Sequence, residues 1–373
     1  MRPSRFLMVM FVLLALPFVL GGRGVGQTAA DSYGPTPRVS SREQNVGSSS
    51  RIATFVVGTG SVTAVTVPLG ISLQGVVVGQ FNDTTGHHGF LRAIDGSVTQ
   101  LDVPGVTNQT YPTGINNAGV VVGWYFLDTF GTYFGFTRPT DGISYTTFTV
   151  PGSSAGTFAT AINNNGVVAG GFLDSSGLHG FLRDAAGNVT TFDPPGSVGT
   201  TVTGINDLNE VVGYYILAPG APAHGFLRNG AGKFTVFNAA PGKNTLPTAI
   251  NNSGVVAGHF DDNNRVNIHS FVRDALGKIT IFDAPRAGEQ FNEGTQATCI
   301  NNSGQIAGYY TTTGGVGLSF SRDPSGNILV FEAPPSTGGP PATYASAINA
   351  KGQITGSYNT YLSDNEEAGF IRY

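Results

Sequence analysis

Six histidines, one cysteine and one tryptophan are scattered through 373 residues, and their spacing says what chemistry they can do. His179, His224 and His269 follow one another at steps of 45 residues, and His88 lies about two such steps earlier. Neutral imidazoles that converge make a metal site. In sister copies of the same pattern, however, the slot holds Phe134, Leu318 and Ala368, so it accepts apolar side chains. Equivalent positions of a repeat also stay far apart unless they line an axis. No metal is expected. Asp83, Asp128, Asp174 and Asp262 lack the D-x-D-x-D-G register of a calcium loop and read as turn residues. Cys299 stands where sister copies carry Gly70, Gly114, Ala161, Gly204, Ala249 and Ala347. That slot takes a small hydrophobe rather than a nucleophile.

Arg92, Arg138, Arg183, Arg228, Arg273, Arg322 and Arg372 share another slot, two residues after a recurring Phe and so on the same strand face. A ring of guanidinium groups would bind anions. A residue present in every copy more often serves the scaffold, its stem packed between neighbours. No G-x-S-x-G elbow, H-E-x-x-H, P-loop or paired-cysteine motif occurs. The sequence therefore points away from an enzyme, and no cofactor is expected.

Variation is the stronger sign of recognition. One slot is always aromatic, at Phe81, Tyr125, Phe172, Tyr215, Phe260, Tyr310 and Tyr358. The residue before it changes freely through Gln80, Trp124, Gly171, Tyr214, His259, Tyr309 and Ser357. It points to the opposite strand face. Aromatic rings with a polar edge are favoured where ligands meet protein. Trp124, Tyr214, His259 and Tyr309 are accordingly the candidate ligand-binding residues. Inter-unit packing is the competing account.

These positions need a scaffold, and the scaffold repeats. The stretch 160–196 contains Thr160-Ala161-Ile162, the turn Asn163–Gly166, and the strands Val167–Phe172, His179–Arg183 and Val189–Phe192. The frame returns at 113–152, 203–237, 248–285 and 298–334, with a worn copy at 70–104 and a short one at 346–373. Asn and Gly in the first turn suit a hairpin with positive φ. No helical periodicity longer than two turns occurs in 51–373. Three short hairpins followed by a long connection, at a step of 40 to 50 residues, predict β-propeller blades. The fold class is therefore all-β, a seven-bladed β-propeller of four-stranded antiparallel blades. Residues 61–67 match the fourth strand at 97–103, which predicts that the ring closes by pairing 61–67 with 369–373. The strand-like stretch 51–57 has no assigned place beyond covering that closing blade.

The chain resembles the HAF-repeat family of bacterial extracellular repeat proteins. The likeness rests on I-N-N-x-G-x-V-x-G at Asn116–Gly123, Asn163–Gly170 and Asn251–Gly258, and on H-[GA]-F-L at His88–Leu91, His179–Leu182 and His224–Leu227. It covers about residues 70–373. Arg follows the Leu where many family copies have Trp, and T-T-F-D-x-P-G replaces a Leu-Gly-rich ending. The resemblance implies export and repetition; it implies no established activity.

Two arginines in 1–5, an uncharged apolar run over 6–20 and small residues after it give the layout of a secretory signal, assigned to 1–26. An uncleaved anchor is the other reading of that run. Residues 27–50 are polar and aperiodic and read as a disordered leader, with the repeats occupying 51–373. The formal charge of −4 falls to −7 without Arg2, Arg5 and Arg23, which argues against a nucleic-acid partner. The expectation is an extracellular or cell-surface monomer, with no stable membrane insertion once the signal is removed. Its role would be binding carbohydrate or protein. A propeller enzyme working at the axis and a structural envelope protein are the competing classes.

Overall fold

The computed structural model describes residues 40–45 in their backbone, and 51–58, 65–106, 109–127, 131–261, 267–334, 342–359 and 367–373. The stretch assigned to a signal, 1–26, lies outside them. Among the described residues every regular element is a strand, and no helix is long and apolar enough to cross a membrane.

Unit 3 shows how the sequence builds one repeat. Its strands Gly156–Ile162, Val168–Leu173, Leu178–Arg183 and Val189–Phe192 pair antiparallel in chain order. The first hairpin is drawn tight by Asn163 N–H to Val167 O at 3.0 Å and Gly166 N–H to Asn163 O at 3.1 Å. Gly166 has φ 77°, a conformation costly for any residue bearing a Cβ. The third hairpin repeats the device, with Asn188 N–H bonded to the Asp184 carboxylate at 2.8 Å. Four-stranded units of the same kind run over 65–101, 110–148, 199–237, 244–282 and 294–331.

The core is a layer of phenylalanines on the third strands. Phe90, Phe136, Phe181, Phe226, Phe271, Phe320 and Phe370 are all fully buried. Each lies beneath the glycine that ends V-x-G on the second strand. A Cβ on Gly170 would come 2.8 Å from the Phe181 ring and 2.1 Å from Phe158 O, so only glycine lets the ring and the first strand approach.

Three kinds of link join each unit to the next from unit 2 onward; at the step from unit 1 to unit 2, Leu69 and Ser72 stand in the Thr and Asn slots, and Arg138 lies over Tyr145 of its own unit at 5.5 Å. The first strand carries a β-bulge, and its extra residue turns a hydroxyl to the neighbouring unit: Thr113 Oγ1 donates to Ala159 O at 2.9 Å, and Thr203 Oγ1 to Pro247 O at 2.8 Å. The first Asn of I-N-N is an inter-unit latch. Asn163 Nδ2 donates to Asn206 O at 3.0 Å while its Oδ1 accepts from Asn165 and Val167 N–H in its own turn. The arginine lies over the aromatic ring of the preceding unit's fourth strand, as Arg228 does over Phe192 at 4.9 Å and Arg322 over Phe282 at 4.8 Å.

The expected closure is corrected. Strand Glu367–Arg372 takes as its fourth-strand neighbour Arg51–Val56, not 61–67. Of 61–67 only 65–67 is described, and it belongs to Val65–Ile71, the first strand of unit 1. The physical reason is Phe55. It sits opposite Gly369, as Phe192 sits opposite Gly180, and it is 1% exposed. Residues 61–67 offer no ring for that place. The leader assignment is corrected too, because Ser40–Asn45 within 27–50 pairs antiparallel with Arg51–Val56 and covers its edge. Unit 7, Thr343–Ile348, Ile354–Asn359, Glu367–Arg372 and Arg51–Val56, carries the same links onward to unit 1. Ser346 Oγ donates to Pro68 O at 2.6 Å, Asn349 Nδ2 to Ser72 O at 2.9 Å, and Arg92 lies over Phe55 at 5.0 Å.

Candidate functional site

The variable slot after V-x-G faces the gap between units, and its cross-strand partner decides what becomes of it. The pairs are Val67 with Gln80, Tyr111 with Trp124, Phe158 with Gly171, Thr201 with Tyr214, Leu246 with His259, Gln296 with Tyr309, and Tyr344 with Ser357. Large residues meet small or medium ones in every unit except unit 2. There Tyr111 faces Trp124, and the slot is overfilled.

Three of the four residues expected to form a recognition surface are therefore corrected to packing residues. Tyr214, His259 and Tyr309 are 7%, 8% and 7% exposed. Burial pushes the Tyr214 phenol up to about 12. Tyr309 donates its hydroxyl to Gln296 Oε1 at 2.9 Å and meets Tyr344 of unit 7 edge-on. Trp124 is different, because it remains half-exposed. It stacks on Tyr111 with ring centres 4.1 Å apart and meets Tyr133 and Phe158 edge-on at 5.6 and 5.8 Å. Phe126 stacks on Tyr111 at 6.0 Å and abuts Tyr133 at 5.4 Å. Tyr133 fills the space left by Gly156, where a Cβ would come within 2.7 Å of it.

The result is a patch of five aromatic side chains between units 2 and 3, with Trp124, Phe126 and Tyr133 half-exposed over buried Tyr111 and Phe158. Its polar edge is supplied by Gln109, which accepts from the Tyr111 hydroxyl at 2.9 Å, and by His87, 5.7 Å from the Tyr111 ring. Burial, with the charge of His88 beside it, lowers the His87 pKa, so that imidazole is neutral at pH 7. Burial raises the Tyr111 and Tyr133 phenols, which stay protonated. None of the rings in contact carries a charge at neutral pH. Such a surface suits apolar faces bordered by hydroxyl or amide groups.

The histidine slot reveals an arrangement that spacing had not shown. His179 Nδ1 lies 2.6 Å from Asp193 Oδ2, and its Nε2 lies 2.9 Å from Ser176 Oγ. His88 repeats this with Asp102 and Thr85, each at 2.8 Å. The connectivity is that of a Ser-His-Asp nucleophile, but its electrostatics oppose that chemistry. Asp174 Oδ1 accepts from the Ser176 hydroxyl and amide, each at 2.6 Å, and from Gly177 N–H at 3.2 Å. A carboxylate thus occupies the amides that would hold an oxyanion. Ser176 and His179 hold that carboxyl down at about 2. Burial works against the charged form of His179, but Asp193 and Asp174 outweigh it and raise its pKa. The shift favours the charged imidazole, whereas a general base acts in its neutral form. The cluster locks a hairpin, with His179 resting on Phe172 at 5.2 Å.

Among the described residues no group of three or more His, Cys, Asp or Glu is placed to hold a metal. His224 pairs with Asn238 and His269 with Asp283, each within its own unit. Cys299 is tucked against Ala307 O, and burial pushes its thiol up to about 12, so no thiolate is available. Asp128 and Asp262 lie outside the described residues.

Comparison with solved structures gives the class. The chain is similar to the β-propeller domain of the trilobed protease from Pyrococcus furiosus, at 9% identity and a TM-score of 0.51, over 79% of this chain and 96% of that one. It is also similar to a putative TolB from Agrobacterium tumefaciens, at 14% identity, TM-score 0.44, over 69% and 92% of the two chains. A further likeness is to the BP39L lectin from Burkholderia pseudomallei, at 14% identity, TM-score 0.41, over 79% and 97%. The trilobed-protease domain shows the fold, a β-propeller, which this chain builds from four-stranded antiparallel units. No protein-family model matches the chain, and no curated protein matches it in sequence.

Proposed function

We propose that this chain is an exported binding propeller of the HAF-repeat type, its seven blades joined in a closed ring, which holds an extracellular carbohydrate or protein against the aromatic patch around Trp124. The observation that carries the reading is the overfilled slot of unit 2. A repeat that balances cross-strand volumes elsewhere leaves an indole half-exposed where Tyr111 already fills the gap. Exposed, clustered aromatic rings are retained where they meet a partner. The apolar face of a sugar ring or of a peptide side chain lies flat on such a surface, and His87 and Gln109 offer polar contacts at its edge.

Because the chain has one tryptophan, its fluorescence reports this site alone. The mature protein is titrated with a glycan panel and with candidate extracellular proteins while indole emission is followed. A true ligand shifts the emission and loses about tenfold or more in affinity to Trp124→Ala. A ligand that binds the Trp124→Ala variant as well as the parent, with no change in parental emission, sinks the reading.

A further inference from the structure

One turn breaks the repeat frame at several places at once. Units 2, 3, 5 and 6 read Asn-Asn-x-Gly, whereas unit 4 reads Asn206-Asp207-Leu208-Asn209-Glu210. Asn209 holds φ 58° where sister turns have glycine, a left-handed conformation that residues with a Cβ rarely adopt and Asn tolerates best. Leu208 is 61% exposed where sister turns carry Ala118, Asn165, Ser253, Ser303 or Lys351. Glu210 replaces the valine of Val76, Val120, Val167 and Val255, a slot that otherwise holds Gln305 and Gln353.

These departures face a cavity of about 270 Å³ between units 4 and 5, to which Leu208, Glu210 and Leu227 contribute from one side and Ser253, Arg273 and Ala275 from the other. Asn206 Nδ2 donates to Glu210 Oε2 at 2.7 Å and holds the carboxylate in place. Arg273 is 8% exposed and fixed over Phe237 at 5.1 Å, with its Nε buried and without a hydrogen-bond partner among the described residues. That arginine recurs in every unit; the turn opposite it does not. Among the described residues neither Glu210 nor Arg273 forms an ion pair.

We propose that this cleft binds a small zwitterion with an apolar body, of the class of a free hydrophobic α-amino acid. The ammonium group meets Glu210, the carboxylate meets Arg273 and the Ser253 hydroxyl, and the side chain lies against Leu208, Leu227 and Ala275. Charge balance selects the class. A simple anion would meet the Glu210 carboxylate, a simple cation would meet the Arg273 guanidinium, and a molecule bearing both signs satisfies the two together. The volume lies just under the range of pockets for drug-sized ligands, roughly 300–1,000 Å³, and suits a smaller molecule. The site is separate from the Trp124 patch, and the proposal does not depend on it.

The test is isothermal titration calorimetry of the full chain with L-leucine, L-leucinamide and 4-methylpentanoate, which carry both charges, the positive one and the negative one. Leucine is expected to bind, with each single-charge analogue about tenfold weaker or more. Glu210→Gln should weaken leucine by about tenfold. A triple variant restoring the common turn, Leu208→Ser with Asn209→Gly and Glu210→Val, should abolish binding while thermal unfolding shows an unchanged or raised midpoint. No heat with leucine overturns the proposal. So does leucinamide binding as tightly as leucine, or parental affinity in the triple variant.

Discussion

The Arg228 guanidinium lies over the Phe192 ring, 4.9 Å from its centre, and donates from NH1 to Asn229 O, a double role that suits a broad, forked cation. Arg228→Lys keeps the charge and loses the stacking, and urea unfolding should show a loss of about 1 kcal/mol. The histidine slot makes a prediction in pH. Asp193 and Asp174 raise the His179 pKa above its unfolded value of about 6.5. The stabilisation this provides is complete below that pH and disappears as pH rises through the higher folded value. His179→Phe copies the sister residue Phe134, which stacks on Tyr125 at 5.3 Å, and should remove that dependence. Denaturation midpoints measured from pH 5 to 9 should show the gap between parent and variant changing in that direction. A parallel pair of curves would refute the assignment.

Strands and turns were legible in the sequence because each local choice repeats: Asn and Gly at the hairpins, Phe beneath V-x-G, and a hydroxyl-bearing residue before small-Ile. What the pattern could not display was the partner across the gap. Asn163 looked like a turn former, yet it is 3% exposed and its Nδ2 donates to both Asn206 O and Asn209 Oδ1 in the next unit. Asn163→Ala strips donors and acceptors from both turns and should cost on the order of 3 kcal/mol in chemical denaturation, whereas exposed Asn164→Ala should cost about 1 kcal/mol or less. The same blindness hid the aromatic patch. Trp124 was visible as the odd member of a variable slot. Its exposure depends on Tyr111, and that register is set beyond a bulge at Thr113 that sequence spacing does not reveal.

At the scale of the whole molecule the misplaced closing strand is instructive. Residues 60–63 share Gly-Ser-Val-Thr with 96–99, and that identity outweighed the feature that matters, a phenylalanine opposite Gly369. Ala53-Thr54-Phe55 supplies it in the manner of Thr190-Thr191-Phe192. Phe55 also gives Phe90 an edge-on neighbour at 6.0 Å and Arg92 its ring. Phe55→Ala should therefore cost about 3–5 kcal/mol, as much as Phe331→Ala, although Phe331 follows directly on its own third strand. Equal losses in urea unfolding, with one transition in both variants, would indicate that the distant strand is as integral as a local one. A separate early transition in Phe55→Ala alone would show that it is a loose appendage.

Val56 precedes Glu367 by 311 positions, so translation delivers Arg51–Val56 long before its partner Glu367–Arg372 arrives. During that interval the hairpin of Ser40–Asn45 and Arg51–Val56 keeps one edge of the second strand open, able to pair with any chain that exposes a three-stranded remnant. Two nascent molecules held close together would exchange these hairpins and emerge as an interlocked dimer. Dilution, or a chaperone that shields the hairpin during synthesis, determines whether each polypeptide fastens to itself.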